Sequence, residues 1–426
     1  MIRTGLGRPR NIALALSVTV AVAACSSGSD ADPDQTSATT SSTAPSVPTS
    51  DRQLTIGVML PPAATLLRDP ILNGVDTAVE QINANGGVFN RSVRRVWTEE
   101  GDTAAAGATA AQNLIDEDAD AIIGPASSTV AASTLTGIVS KGVLACSPTA
   151  SALSLDDLPD NDLFFRTVPS DSMQASAIAQ VAEDTGVPSA VVAYVDDGFG
   201  RPFSMAVAEE LAEVSIEVAA SIPFPSTEAG QGGVDLVDRV QRVIDSQARV
   251  LILLAGSSDG IQFLEALSAA DVPRISDIIV NDALRSPESV QRLAALPETT
   301  RENIRGVAPQ SESSDLNTPF TPAGPFATQA FDCVTLIALA ASIADSDVGA
   351  NIAGFIPLVS ADGRPCDSFA ECSGASLDAP QINYDGPSGL TEIGNSGDPS
   401  LARFDVFSFD EEGNDQFARP PLLVPA

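Results

Sequence analysis

From Leu54 onward, short apolar runs alternate with amphipathic stretches, and the alternation runs through two successive series. Such a pattern restricts the chain to an α/β fold with a mainly parallel sheet, because strands buried on both faces need crossover helices to cover them. In the first series LTIGVML (54–60) reads as a strand. In ILNGVDTAVEQINANGG, Val75, Ala78, Val79 and Ile82 recur at helical spacing, and Gly86 and Gly87 end the helix. VRRVWTEE, a helix in ATAAQNLIDE, the strand ADAIIGP, a helix around TLTGIVSKG and the strand VLACSPT follow. After FFRTVPSD the second series comprises SAVVAYVDD, a helix from about Pro202 to Val214, IEVAASIPF, a helix near VDRVQRVIDS, ARVLILLAG, the helix IQFLEALSAA and DIIVND. RGVAPQ (305–310) reads as an extended crossover and FATQAFDCVTLIALAASIA as a helical return. Two Rossmann-like lobes joined by several strands are the simplest arrangement. Ligands in such folds bind at the carboxyl ends of the strands, which here would face a cleft.

The N-terminus predicts where this body works. Arg3, Arg8 and Arg10 precede an apolar stretch from Ile12 to Ala24, which is too short to span a bilayer and reads as a secretory signal over residues 1–24. The small residues of Val-Ala-Ala-Cys look like a bacterial lipobox, in which Cys25 is acylated and becomes the first mature residue; an ordinary cleaved signal is the alternative. Residues 25–52 are rich in Ser, Thr, Pro and Asp, too polar to fold, and read as a loose tether. The expected location is the outer face of the cytoplasmic membrane. About 370 residues remain, which fits two lobes better than one small core. The formal net charge of −34 disfavours nucleic acid and anionic headgroups, so membrane association would rest on the lipid alone.

Composition also excludes chemistry. The chain has no histidine, which removes the usual general base and the commonest zinc ligand. GSSDG (256–260) matches G-x-S-x-G between a strand and a helix, yet Ser258 has no histidine to take its proton, so a glycine-bounded turn is expected and an enzyme is not. Neither G-x-x-x-x-G-K-[ST] nor G-x-G-x-x-G occurs, which leaves nucleotide binding without support. The acidic clusters DDLPDND (156–162) and DEEGND (410–415) lack EF-hand spacing and read as solvated turns. No metal or cofactor is expected. Cys366 and Cys372, six apart in CDSFAEC, read as a disulfide in an oxidising compartment. Cys146 and Cys333 lie in apolar surroundings and read as two buried free thiols, with a mutual disulfide as the alternative.

The informative strand ends carry hydroxyls. IIGPASST (122–129) ends a strand and opens a helix, so its N–H groups with Ser127, Ser128 and Thr129 suit an anion; CSPTAS (146–151) brings a second hydroxyl group from the next strand. At this point the chain resembles the type I periplasmic binding proteins of the branched-chain amino acid (Leu/Ile/Val-binding) class, the solute receptors of ABC importers. The resemblance rests on IGVMLP, NGVDTAVEQINANGGVFNR, TEEGD, ADAIIGPASST, CSPTAS, FFRTVPSD, VVAYVDDGFG, RGVAPQ and the tail CDSFAEC...INYDGPSG...GDPSLARFDVF, in that order over about residues 53–410.

The resemblance implies two lobes joined by a three-strand hinge, 53–166 plus 308–402 and 167–307 plus 403–422. It implies that Ser128, assisted by the N–H groups of its loop, receives a ligand carboxylate, and that Thr129 and Ser147 also belong to the ligand-binding set. Thr149 would offer its carbonyl to the ammonium, Ser151 its hydroxyl and N–H, and Asp282 a carboxylate facing that ammonium. Phe199 stands for a family tyrosine in DDGFG, keeping the aromatic wall without its hydroxyl, and Ser257 and Ser258 replace an aromatic residue. The implied function is a monomeric, lipid-anchored receptor that binds an amino acid or related amide and docks on ABC permease subunits; a sensing lipoprotein of the same fold is the alternative.

Overall fold

The structure, a computed structural model, describes residues 50–63, 65–226, 236–270, 274–310, 324–376, 381–389 and 392–426. The signal segment, Cys25 and the tether up to residue 49 lie outside the described residues.

The first series gives β1 (Thr55–Leu60), α1 (Arg68–Ala84), β2 (Arg94–Glu99), α2 (Ala104–Asp116), β3 (Ala121–Ile123), α3 (Ser128–Val139), β4 (Leu144–Ser147) and β5 (Phe164–Arg166). The second gives α4 (Asp171–Asp184), β6 (Ser189–Val195), α5 (Gly200–Glu213), β7 (Glu217–Phe224), α6 (Val237–Asp245), β8 (Val250–Leu254), α7 (Ser257–Ala269), β9 (Asp277–Val280), α8 (Val290–Ala295), α9 (Glu298–Arg301) and β10 (Ile304–Pro309). The return comprises α10 (Ala327–Ala344), α11 (Gly349–Ala353), α12 (Ile356–Ser360), β11 (Arg364–Cys366), α13 (Phe369–Ser376), β12 (Ile382–Tyr384), β13 (Leu401–Phe409) and β14 (Asp415–Pro425).

Twelve of these strands build a five-stranded sheet, ordered β2-β1-β3-β4-β5 and parallel throughout, and a seven-stranded sheet ordered β14-β13-β10-β9-β8-β6-β7; β11 and β12 form a separate parallel pair. In the second sheet only the pairings of β13 are antiparallel. The α/β class with mainly parallel sheets is thus as expected. RGVAPQ, expected as a crossover, is a full strand of the second sheet, because β13 returns beside it and pairs from Gly306 to Pro309.

Side-chain alternation sorts each strand between two helical layers. Ile56, Val58 and Leu60 of β1 face a cluster built with α1 and α10, whereas Met59 joins Ile122 and Ala145 against α2 and α3. In β8, Leu251 and Leu253 pack with residues of α6 and α7, and Val250, Ile252 and Leu254 with α4 and α5. Helix α10 is long and apolar enough to cross a membrane by composition alone, but 83 % of it is buried, and it is the central core helix of the first sheet. Its close approach to α1 requires a glycine: a Cβ on Gly74 would stand 2.1 Å from the Ala327 carbonyl oxygen.

The chain passes between the layers of the two large sheets three times: from β5 into α4, after β10 towards α10, and from β12, whose Ile382 and Tyr384 pack in the α10 cluster, into β13. Cys366 and Cys372 form the expected disulfide, with Cα atoms 5.3 Å apart. Cys146 and Cys333 are not free thiols. They form a second disulfide, Cα atoms 5.8 Å apart, because α10 packs its Cys333 side directly on the end of β4.

Candidate functional site

Helix α3 begins where β3 ends. Ser127 caps it, its hydroxyl accepting from the Val130 N–H at 3.4 Å, which leaves Ser128 and Thr129 in the first turn, where backbone N–H groups have no intrahelical partner. Ser128 is half-buried and Thr129 exposed. The Glu100 carboxylate, following β2, takes the N–H groups of Ala126 (2.7 Å) and Ser127 (3.1 Å). Only the first turn of α3 is therefore left to offer donors to a ligand anion.

The loop after β4 wraps against this turn. Ser147 is fully buried: its hydroxyl donates to the Pro125 carbonyl at 2.7 Å and accepts from the N–H groups of Thr149 and Ala150 at 3.4 and 3.0 Å. It therefore shapes the loop and does not reach a ligand, which corrects its expected role. Thr149 donates its hydroxyl to the Ala126 carbonyl at 2.7 Å, and the Ser128 hydroxyl accepts from the Ala152 N–H at 3.3 Å. These bonds lock the two hydroxyl loops into one surface. The Ser151 hydroxyl bonds the Asp171 carboxylate, whose backbone N–H donates to the Ser151 carbonyl at 2.9 Å.

Asp171 opens α4 on the second sheet's side, and it senses the charge of Asp282, which follows β9. Ser151, Asp171 and Asp282 thus join the carboxyl ends of strands from both sheets. Asp282 accepts from Gln174 Nε2 at 3.0 Å and from the Asn281 side chain, and burial raises its pKa above the usual carboxylate range. Phe199 starts α5 behind Asp197, which accepts from the Phe199 and Gly200 N–H groups. Its half-buried ring packs on Phe203 with centroids 5.5 Å apart.

GSSDG is a helix start rather than a turn: Gly256 is the N-cap and Ser257 the first residue of α7. The Ser257 hydroxyl bonds Ser289 at 2.6 Å, and the Ser258 hydroxyl accepts from Gln262 at 3.3 Å. Asp156 of the first acidic cluster pairs with Arg166, and Asp415 of the second with Arg285. A cavity of about 410 Å³ lined by Leu144, Leu163, Phe165, Ile356 and Ile393 lies at the amino end of β4 and β5, opposite the hydroxyl loops.

Glu100, Asp171 and Gln174 were not singled out by sequence reasoning. Glu100 and Asp171 lie inside the quoted TEEGD and FFRTVPSD segments, and an acid directly after a strand, or following a Ser cap at a helix start, is the signal that marks them.

Four buried carboxyls, Glu100, Asp120, Asp171 and Asp332, are each pushed up to about 7, in every case mainly by burial. A carboxyl whose folded pKa exceeds its unfolded value supports the fold while protonated. That contribution is complete below about pH 4 and is lost as the pH rises through 7. The thermal midpoint is accordingly expected to be several degrees higher at pH 5 than at pH 8. Equal midpoints would show that burial does not perturb these groups.

Two large, mainly parallel α/β sheets, three connections between their layers and polar strand ends that converge are the architecture of a periplasmic binding protein. The chain belongs to the periplasmic binding protein family, whose model matches residues 54–307. This family consists of extracytoplasmic binding proteins, not enzymes. A chemotactic signal transduction system substrate-binding protein, BasB of Halobacterium salinarum, is 28 % identical over 333 residues, covering 75 % of this chain and 77 % of that one. The branched-chain amino acid transporter substrate-binding protein LivJ of Streptococcus pneumoniae, in complex with isoleucine, shares the fold at a TM-score of 0.65. It is 17 % identical, with 87 % of this chain and 99 % of that one covered. The leucine-binding protein LivK of Thermotoga maritima gives 0.67, 17 %, 87 % and 99 %.

Proposed function

We propose that the protein is the solute receptor of an ABC importer and binds an amino acid of the branched-chain type, or a related amide, between its lobes. The observation that carries this reading is the convergence of the α3 first turn, Ser151 and Asp282. Donors for a carboxylate lie on one sheet and an acceptor for an ammonium on the other. Ser128 and the first-turn N–H groups receive the carboxylate; the Thr149 carbonyl, the Ser151 hydroxyl and Asp282 receive the ammonium. Charge-assisted hydrogen bonds contribute about 1.5–3 kcal/mol each, so a few of them reach micromolar affinity, about −8 kcal/mol, after binding costs. The lobes, 53–166 plus 308–402 and 167–307 plus 403–422, close because ligand makes contacts in the closed state that the open state lacks. An acylated Cys25 keeps the receptor at the outer face of the membrane, and a permease reads the closed form.

Leucine, isoleucine and valine should raise the thermal midpoint and compact the protein in small-angle scattering. Asp282→Ala should weaken their binding at least tenfold by calorimetry. Scattering that does not change under saturating ligand would eliminate closure, and an unchanged dissociation constant in the variant would eliminate the role of Asp282. A receptor serving a signalling complex, as the name of the halobacterial relative indicates for that protein, would bind alike but would not stimulate ATP hydrolysis by a permease in proteoliposomes.

A further inference from the structure

Asp282 is not simply presented at the end of β9; it is anchored to structure on either side that leads into the interlobe connections. On one side lies Gln174, a buried residue in the first turn of α4, the helix that follows the first connection. Its Nε2 donates to Asp282 Oδ1 at 3.0 Å and to the Val307 carbonyl at 2.8 Å. Val307 belongs to β10, the strand that leads into the second connection. On the other side lies Arg285, whose backbone N–H donates to the Asp282 carbonyl at 2.8 Å, closing the turn that carries the acid. Its guanidinium forks between two carboxylates, Nη1 on Asp405 at 2.8 Å and Nε on Asp415 at 2.7 Å. It also stands over the rings of Phe407 and Phe417, 5.5 and 5.7 Å from their centroids. Asp405 and Phe407 belong to β13, the strand into which the third connection runs, and Asp415 and Phe417 to β14.

We infer that Gln174 and Arg285 are positioning residues that set the direction of the Asp282 carboxylate and tie its occupancy to all three interlobe connections. The inference rests on Asp282 as the ammonium acceptor. A planar guanidinium is needed on the Arg285 side, since two carboxylates and two ring faces surround it; a lysine ammonium keeps the charge but can satisfy only part of that set. Gln174 acts differently, by giving both hydrogens of one amide nitrogen to oxygens of two elements. Without it the carboxylate keeps the Asn281 side chain but loses the donor that ties it to α4 and β10. The coupling is thus geometric, and it reaches Asp282 by two routes, the Gln174 amide at its carboxylate and Arg285 at its backbone carbonyl.

The test is a double-mutant cycle read by calorimetry with L-leucine. Arg285→Lys is expected to weaken leucine about five- to tenfold in the parent protein and less than twofold in an Asp282→Asn background, because the residue acts through the acid. Gln174→Leu, which leaves the ion pairs intact, should show the same non-additivity and guards against a folding defect confined to the arginine variant. A full-sized effect of either substitution in the Asp282→Asn background, or no effect in the parent, overturns the inference. Asp282→Asn with unchanged affinity overturns the underlying assignment instead, and the two failures are therefore separable. A lowered thermal midpoint alone does not imitate the expected result, since a merely structural loss would weaken binding equally in both backgrounds.

Discussion

Replacing Cys146 and Cys333 together with alanine is expected to cost roughly 5 kcal/mol of folding stability, the chain-entropy value for a cross-link of this span. The two residues are 187 positions apart, so the bridge closes a long loop, about half of the folded body, in the unfolded state. Its native surroundings argue for a large effect as well. Both cysteines are fully buried, and Cys146 lies in β4 just before its last residue, Ser147, which shapes the hydroxyl loop. Cys333 lies on α10 beside Thr167, whose hydroxyl is 3.4 Å from its sulfur and bonds the Gln329 carbonyl at 2.9 Å. Gln329 Nε2 in turn donates to the Gln310 carbonyl, and the Gln310 N–H to the Arg403 carbonyl. Thr167, Gln310 and Arg403 stand on or beside the three connections, so the disulfide fastens β4 to the helix that gathers them. Chemical denaturation of the double variant should show the loss, and a non-reducing peptide map should show Cys146 and Cys333 joined in the parent. An unchanged midpoint, or a map with both thiols free, would refute the assignment.

The sequence made the layer structure legible because burial leaves a periodic trace. The apolar runs of β1 and β8 are strands covered on both faces, and the spacing of Val75, Ala78 and Ile82 marks the buried face of α1. The helix start in IIGPASST could be placed because the signals that open a helix are local. What depends on distant packing left no such trace. The Cys146–Cys333 pairing needs α10 laid against β4, and nothing near either cysteine encodes that. Arg285 lies three residues from Asp282, yet its carboxylate partners are 120 and 130 positions away. Ser147 looked like its hydroxyl neighbours in CSPTAS, but its position at the end of β4 turns it inward to the Pro125 carbonyl. RGVAPQ became a strand because β13 arrives from nearly a hundred residues downstream to pair with it. Local chemistry was readable at the site, and the scaffolding that aims it was not.

Arg166→Met should cost about 3–5 kcal/mol, the usual penalty for removing one partner from a buried ion-pair network. Its side chain has no solvent exposure, and its guanidinium donates to Asp398 and Asp156 at 2.6 Å each and to the Ala150 and Ala152 carbonyls at 3.3 and 3.4 Å. Asp156 also accepts from the Ser170 hydroxyl, which caps α4, so the network reaches the first connection. Asp398 belongs to the third, where the Gly397 carbonyl accepts from the Arg166 N–H at 2.9 Å. Gly397 has φ +82°, and a Cβ there would come within 2.2 Å of the Phe164 carbonyl oxygen, so this segment is seated against β5 without room to shift. One arginine therefore braces the hydroxyl loop after β4 and two connections together. Arg166→Lys retains the charge but not the fork, and its unfolding midpoint in denaturant should fall between the parent and the methionine variant. If the methionine variant keeps the parental midpoint, Asp156 and Asp398, which are 26 % and 18 % exposed, are adequately hydrated without the arginine, and the brace contributes little. If both variants lose the same amount, the geometry of the fork rather than its charge holds the connections.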